Sequence, residues 1–375
     1  MLLPILRPLL RVLAASGLAA LACGAQAPLR LEAREATLKL GLLAQPMFET
    51  LGSATREGTA QNLFLRRFRL LAGGTFGDDF EFFFETDNPN LGKADLSGAK
   101  TTAGLILQDA VITYKFLPTL RLDAGYILVP GSHHGTQGAT TLLATDYSPY
   151  TFLQSAPLGN SNGRDGGLQL RGSLGHLEFR VGAFQGKRLA ETSATATTPA
   201  VASRNALRLA GRAQWNFFEG ENGLFLAGTY LGARRILSLG LAHDRQDDYR
   251  STALDAFLDW PLGGDGVTFQ VNRVKWDGGT WLTALPAQRT TFAEGAYRFG
   301  SLQLSPLVRF DQRRPDRPTA ALPEEDRLGA GLAWWFKGHA SNLKALYVHV
   351  RPSAPGVTTL KAYDQVNLQW QVYLY

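Results

Sequence analysis

The chain has 375 residues, 19% of them charged and 45% hydrophobic. That balance excludes a disordered polyelectrolyte and leaves room for one large domain or two ordinary ones. Forty glycines and 10% aromatic residues suit many tight turns between extended, aromatic-bearing strands. The formal net charge of +6 favours anionic partners but is too small to select among them.

Residues 1–27 stand apart. Arg7 and Arg11 make a basic start, Val12 to Ala22 an apolar run, and Ala25-Gln26-Ala27 a small-residue cleavage site. These are the three parts of a secretory signal peptide, and the apolar run is too short for a retained membrane anchor. Cys23, the only cysteine, falls inside this leader. Ala20 stands where a lipid-attachment site usually carries Leu, so the segment reads as cleaved rather than lipidated. The mature chain, 28–375, then has no cysteine, no disulfide and no thiolate metal site. Its formal charge is +4 once Arg7 and Arg11 are gone.

Beyond the leader there is no run of about 18 apolar residues, so no transmembrane helix is predicted. The dominant signal is alternation. Phe80, Phe82 and Phe84 share one face of an extended segment, and Glu81, Glu85 and Asp87 the other. Leu120 to Tyr126 and Leu207 to Arg212 repeat the pattern, and Val366, Leu368, Trp370, Val372 and Leu374 alternate with Gln365, Asn367, Gln369 and Gln371. A period of two marks a strand with one apolar and one polar face.

Strands are predicted at 36–48, 62–75, 78–87, 104–116, 119–129, 165–173, 175–186 and 205–217. They continue at 235–245, 251–261, 265–277, 290–300, 302–312, 326–337, 340–351 and 362–375. Gly223 to Ala233 is also strand-like, but counting it gives an odd total. A bacterial barrel with both ends on one side needs an even number, so that segment is read as a long connection and the count as sixteen. Short turns at Gly77-Asp78, Leu117-Pro118, Gly172 to Gly175 and Gly300-Ser301 alternate with longer polar loops near 49–61, 88–103, 130–164, 187–204, 278–289 and 313–325. A short connection near 246–250 breaks the rule. The pattern predicts an all-β fold, a transmembrane antiparallel β-barrel with short periplasmic turns and longer extracellular loops. A soluble β-sandwich is the competing fold, but it rarely needs so many strands. Aromatics at strand ends, such as Tyr114, Phe116, Trp215, Phe217, Trp334 and Phe336, suit the girdles at a membrane interface.

Three stretches resemble the phosphate-selective porin O/P family of outer-membrane channels. The first is Phe64-Leu65-Arg66-Arg67-Phe68-Arg69-Leu70, followed by Gly74 and the strand ending at Asp87. The second runs from Leu107-Gln108-Asp109-Ala110 through Tyr114-Lys115-Phe116 and Leu122 to Tyr126, reaching Val129-Pro130; the third is Gly163 to Leu170. Their order and spacing match the family over 36–186. The resemblance implies a sixteen-stranded barrel, a homotrimer, and an inward-folded loop that narrows the pore. That constriction loop would be 130–164, carrying His133, His134 and Arg164. It departs from phosphate-selective members in having no Lys. The terminal strand departs too: it ends in the aromatic Tyr375, but its apolar residues have the opposite parity.

Counting from the apolar face of each strand points Arg67, Arg69, Arg121, Arg171, Arg180, Arg208, Arg212 and Arg309 into the lumen. Glu81, Glu85, Asp109, Asp123, Glu178, Asp255 and Asp259 fall on the same polar faces. Cation rings favour anions by replacing lost hydration, while acidic groups across the lumen would weaken that preference. Arg66 shares parity with Phe68 and Leu70 and is expected to face outward, toward headgroups or a subunit interface. His133-His134 reads as a solvated loop pair, because adjacent residues seldom ligate one metal together. With no Gly-x-Ser-x-Gly elbow, Cys-His pair or phosphate-cradling glycine loop, the sequence predicts no enzyme, cofactor, metal or nucleic-acid partner. It predicts a bacterial outer-membrane pore, in contact with lipid, for passive diffusion of small hydrophilic solutes with a weak preference for anions. A lipase-like barrel enzyme and a structural or adhesive barrel are the alternatives.

Overall fold

The alternating segments pair edge to edge into one wall. The computed structural model describes residues 29–375 apart from 34, 56–57, 96, 103, 153–162, 192, 198–199 and 201–203. The expected leader and Cys23 lie outside the described residues. The strands are β1 (Arg30–Ala33), β2 (Ala36–Leu51), β3 (Ala60–Phe76), β4 (Phe80–Asp87), β5 (Ile106–Leu117) and β6 (Leu120–Leu128). Next come β7 (Arg164–Leu174), β8 (Leu177–Phe184), β9 (Arg208–Asn216), β10 (Ile236–Gln246), β11 (Tyr249–Leu262) and β12 (Asp265–Asp277). The last are β13 (Gln288–Arg298), β14 (Leu304–Pro315), β15 (Glu324–Lys337), β16 (Ser341–Ser353) and β17 (Tyr363–Leu374). From β2 onward each strand pairs antiparallel with the next, and β17 returns to β2, with Val366 opposite Thr50 and Leu374 opposite Leu42. The sixteen predicted strands therefore close into a barrel, which leaves no unpaired edge to be desolvated. The four-residue β1 was not predicted; it is too short to show a period. It pairs with the start of β2, Arg30 opposite Lys39, on the edge that β3 leaves open.

The faces are inverted relative to a soluble protein. Leu63 is 78% exposed and Leu174 70%, while Gln45, Arg67 and Asp123 are almost wholly buried inside. Exposed apolar side chains on the outer face suit contact with lipid tails. Outward aromatics gather at the end of the barrel that carries the chain terminus. There Phe80 meets Tyr114 (5.0 Å), Tyr114 meets Phe116 (4.9 Å), Tyr297 meets Phe299 (4.9 Å) and Trp334 meets Phe336 (5.1 Å). They form the girdle the sequence predicted.

Connection lengths follow the predicted asymmetry except at one place, where they swap. The turn-side segment 217–235 is long and the loop-side connection 247–248 is only two residues. The tight turn places Asp247 at φ 54°, a left-handed conformation that Asp tolerates better than most residues. Gly223 to Ala233 is part of a connection, as read from the sequence, and it folds back into the barrel.

Close pairing also makes some glycines obligatory. A Cβ on Gly74 would lie 1.8 Å from the Thr37 carbonyl oxygen on β2, which is backbone and cannot rotate away. Gly74→Ala is expected to destabilise the β2–β3 pairing by about 1–3 kcal/mol. Urea unfolding followed by tryptophan fluorescence in micelles checks this, and an unchanged midpoint would count against that close approach.

Candidate functional site: a lumen narrowed by two inserts

The loop after β6 turns into the barrel and lines its β10–β17 side. Two short 3-10 turns, His134–Thr136 and Ala139–Thr141, shape it. Leu143 and Ala144 cover Leu307, Trp335, Leu346 and Val348, inward apolar residues that would otherwise face water. The loop's carbonyls are taken up by the wall. Lys344 Nζ donates to the Leu142 carbonyl at 2.5 Å, Arg309 to that of Asp146 at 2.6 Å, and Gln369 and Gln371 to those of Thr145 and Thr140 at 2.9 Å.

Asp146 ties the loop to β3. Arg66 donates to it through Nε at 2.5 Å and Nη2 at 3.1 Å, and Arg67 through Nη2 at 2.6 Å. The sequence reading of Arg66 as outward is wrong. The β2–β3 register slips between Gln45 and Pro46, so Arg66 is the extra residue of a β-bulge and turns inward beside Arg67. A bulge reverses parity and re-aims side chains, and Pro46, with no N–H to give the ladder, favours the slip there. Enclosure in the barrel acts to raise the Asp146 pKa. The charges and hydrogen bonds of Arg66 and Arg67 outweigh it and hold the carboxyl well below the ordinary carboxylate range.

The expectation of a solvated histidine pair is also corrected, since His133 is 0% and His134 1% exposed. Their protonation can be deduced from one backbone donor. The Ser148 N–H donates to His134 Nε2 at 2.8 Å, so the ring proton sits on Nδ1 and is donated to Gln137 Oε1 at 3.0 Å. The Gln137 amide must then donate through Nε2, to His133 Nδ1 at 3.0 Å and Gln270 Oε1 at 2.9 Å. His133 therefore keeps its proton on Nε2, facing Glu221 Oε2 at 2.9 Å. Phe257 stacks on His133 at 4.1 Å. Burial, and then the Arg309 charge, push the His134 imidazole well below its usual pKa.

Glu221 belongs to the second insert, 217–235, which enters from the terminus side and braces the first. Leu226 N–H donates to the Thr136 carbonyl at 3.0 Å, and Gly138 N–H to that of Leu226 at 2.9 Å. Arg180 donates to the carbonyls of Leu224 (2.7 Å) and Gly223 (2.6 Å), and Arg171 to that of Asn222 (2.9 Å). Phe225 reaches across to Phe83 on β4, ring centres 5.8 Å apart. The sequence reading missed Glu221 and Phe225 because nothing local marks a connection that will fold inward.

All eight predicted arginines point inward, but most are neutralised. Arg69 pairs with Glu85 and with Asp87 at 2.9 Å, Arg164 with Asp109 at 3.0 Å, and Arg171 with Asp123 at 2.7 Å. Arg208 pairs with Asp244 at 2.6 Å, Arg212 with Asp255 at 2.6 Å, and Arg309 with Asp311 at 2.8 Å. Glu81 faces Lys115 at 3.8 Å, and Glu178 accepts from the Glu221 N–H at 2.6 Å. Asp259 accepts from the Tyr230 N–H at 2.9 Å and the Gly232 N–H at 3.1 Å. Arg121 borders a small space with Arg171, Arg180 and Glu178.

Between the two inserts and the β2–β7 wall remains a cavity of about 870 Å³. Arg30, Lys39, Arg69, Arg164 and Arg171 line it, against Glu81 and Glu85. Tyr375 turns its ring into this space, consistent with its parity, and packs where Cβ atoms on Gly41 and Gly73 would collide with it.

The family model for "Phosphate-selective porin O and P" matches residues 48–234, bearing out the resemblance read from the sequence. No curated protein sequence matches the chain. Among solved structures, Salmonella typhi OmpF in complex with daunomycin is similar with TM-score 0.58 and 12% identity, covering 92% of this chain and 100% of that one. The anion-selective porin from Comamonas acidovorans gives TM-score 0.56 and 12% identity over 91% and 99%. The outer membrane channel DcaP of Acinetobacter baumannii gives 0.56 and 12% over 93% and 100%. At such identities the likeness is one of fold.

The two tethers have separate acid windows. Both groups have folded pKa values below their unfolded ones, so each stabilises fully above its ordinary pKa and loses that contribution as pH falls toward the folded value. For His134 the loss begins below 6.5, and for Asp146 only below 3.8. Lowering the pH from 7 to 5 is therefore expected to increase open-channel noise in the wild type and much less in His134→Gln. Asp146→Asn should raise noise at every pH. Single-channel recordings distinguish these, and identical pH responses in wild type and His134→Gln would refute the histidine tether.

Proposed function

We propose that this chain, an outer-membrane porin related to the phosphate-selective porins O and P, admits small anions through the passage bounded by its two inserts. The observation that carries the reading is the basic excess around the cavity, five cationic side chains against two carboxylates. Such an excess lowers the barrier for an anion entering a narrow lumen. The preference is weak, because Arg69, Arg164 and Arg171 each already hold a carboxylate. The missing lysines of the constriction loop fit the same reading; Lys344 reaches that loop from the wall instead, and both of its bonds go to loop carbonyls. Export by the signal peptide, contact with outer-membrane lipid and assembly as a homotrimer complete the proposal, the last resting on the family resemblance. A charge-lined interior favours a channel over an enzymatic or purely adhesive barrel.

Purified protein in planar bilayers is expected to give discrete conductance steps; their absence would end the channel reading. Across a salt gradient the reversal potential should show modest anion preference with chloride and with phosphate. Arg69→Gln should shift it toward cations, because it leaves Glu85 and Asp87 uncompensated, and an unmoved reversal potential would remove Arg69 from the conduction path.

A further inference from the structure

The cavity has a feature that passage of a small inorganic anion does not use. Lumen-facing positions of outer-membrane barrels are ordinarily polar, but here three aromatic rings converge on the space. Phe83 meets Phe225 edge-on at 5.8 Å and Tyr375 edge-on at 5.9 Å. Leu43, Leu71 and Leu226 extend the apolar lining. Beside the rings lies Lys39, its ammonium 4.4 Å from the centre of the Tyr375 ring. Unlike Arg69, Arg164 and Arg171, it has no carboxylate within ion-pair distance among the described residues. Its volume of about 870 Å³ falls in the range of small-molecule sites, roughly 300–1,000 Å³.

We propose that this cavity is a binding site for an aromatic carboxylate, the ring held among Phe83, Phe225 and Tyr375 and the carboxylate on Lys39. The proposal rests on the porin reading and narrows its solute. A phosphate or chloride would gain from Lys39 but nothing from the rings. A neutral aromatic would gain from the rings but forgo the one uncompensated cation. An aryl carboxylate uses both, and ring-to-ring contacts in edge-on or offset geometry add to the burial of apolar surface.

Benzoate, acetate and phosphate added to single channels in planar bilayers test this. Benzoate is expected to interrupt the current at concentrations at least about tenfold below acetate, a difference worth about 1.4 kcal/mol. Phe225→Ala should remove most of that advantage and Phe225→Leu part of it, each measured against that variant's own open current. Lys39→Gln should weaken benzoate and acetate alike. Calorimetric titration of the detergent-solubilised protein with benzoate reads the same site without ion flow. Conductance steps with equal blockade by benzoate and acetate, or phosphate blocking as well as benzoate, would overturn the site while leaving the porin reading intact. Absence of conductance steps would strike the porin reading instead, and calorimetry would still decide the site.

Discussion

Arg171, Arg180, Arg212, Arg309 and Lys344 share a task that their charge alone does not reveal. Each donates to a backbone carbonyl of an inserted segment: Asn222, Leu224 and Gly223, Gly131, Asp146, and Leu142 and Ala144 respectively. The inserts have little regular structure, so these carbonyls take their donors from outside the segment, and a buried carbonyl without a donor is costly. Strands of the wall cannot supply backbone donors, because closure of the barrel commits those to neighbouring strands. Long cationic side chains projecting inward fill the gap.

That use of cations limits how strongly the lumen can select. A guanidinium committed to a carbonyl or a carboxylate still contributes charge, but it is less free to replace the hydration shell of a passing ion. The carboxylates beside these arginines are needed because several uncompensated cations enclosed in one barrel would repel each other and their insertion would be expensive. Arg208 with Asp244 and Arg212 with Asp255 are best understood as wall structure, whereas Arg69, Arg164 and Arg171 on the β2–β7 side border the cavity. The eight arginines found by parity are thus unequal in role.

What the sequence could show follows from range. Parity is local, so strand faces, the sixteen-strand count and the girdle were legible. A bulge is local too, and Pro46 opposite the slip was a usable sign that Arg66 would turn inward. The partners of the inserts were not legible. His133 meets a glutamate 88 positions later, and Arg66 an aspartate 80 positions later; no spacing rule links them. The reading of His133-His134 as solvated failed for this reason, since burial of a loop histidine depends on whether distant donors and acceptors exist to complete it.

The swapped connection lengths explain how both inserts coexist. One barrel strand pair is joined at the loop side by only the two residues 247–248, against which Arg204, Thr280 and Trp281 pack. The adjoining pair spends its length at the opposite rim, in 217–235. The two inserts therefore enter from opposite ends and meet at the Thr136–Leu226–Gly138 backbone contacts. Each satisfies backbone groups of the other. Their association with the wall is asymmetric: backbone carbonyls of the inserts are held from β7–β17, while β3 is reached through Asp146 and β4 through Phe225, leaving the cavity along β2–β7. The position of the cavity thus follows from where the wall supplies donors to the inserts, and its aromatic character from where Phe225 of the second insert meets Phe83.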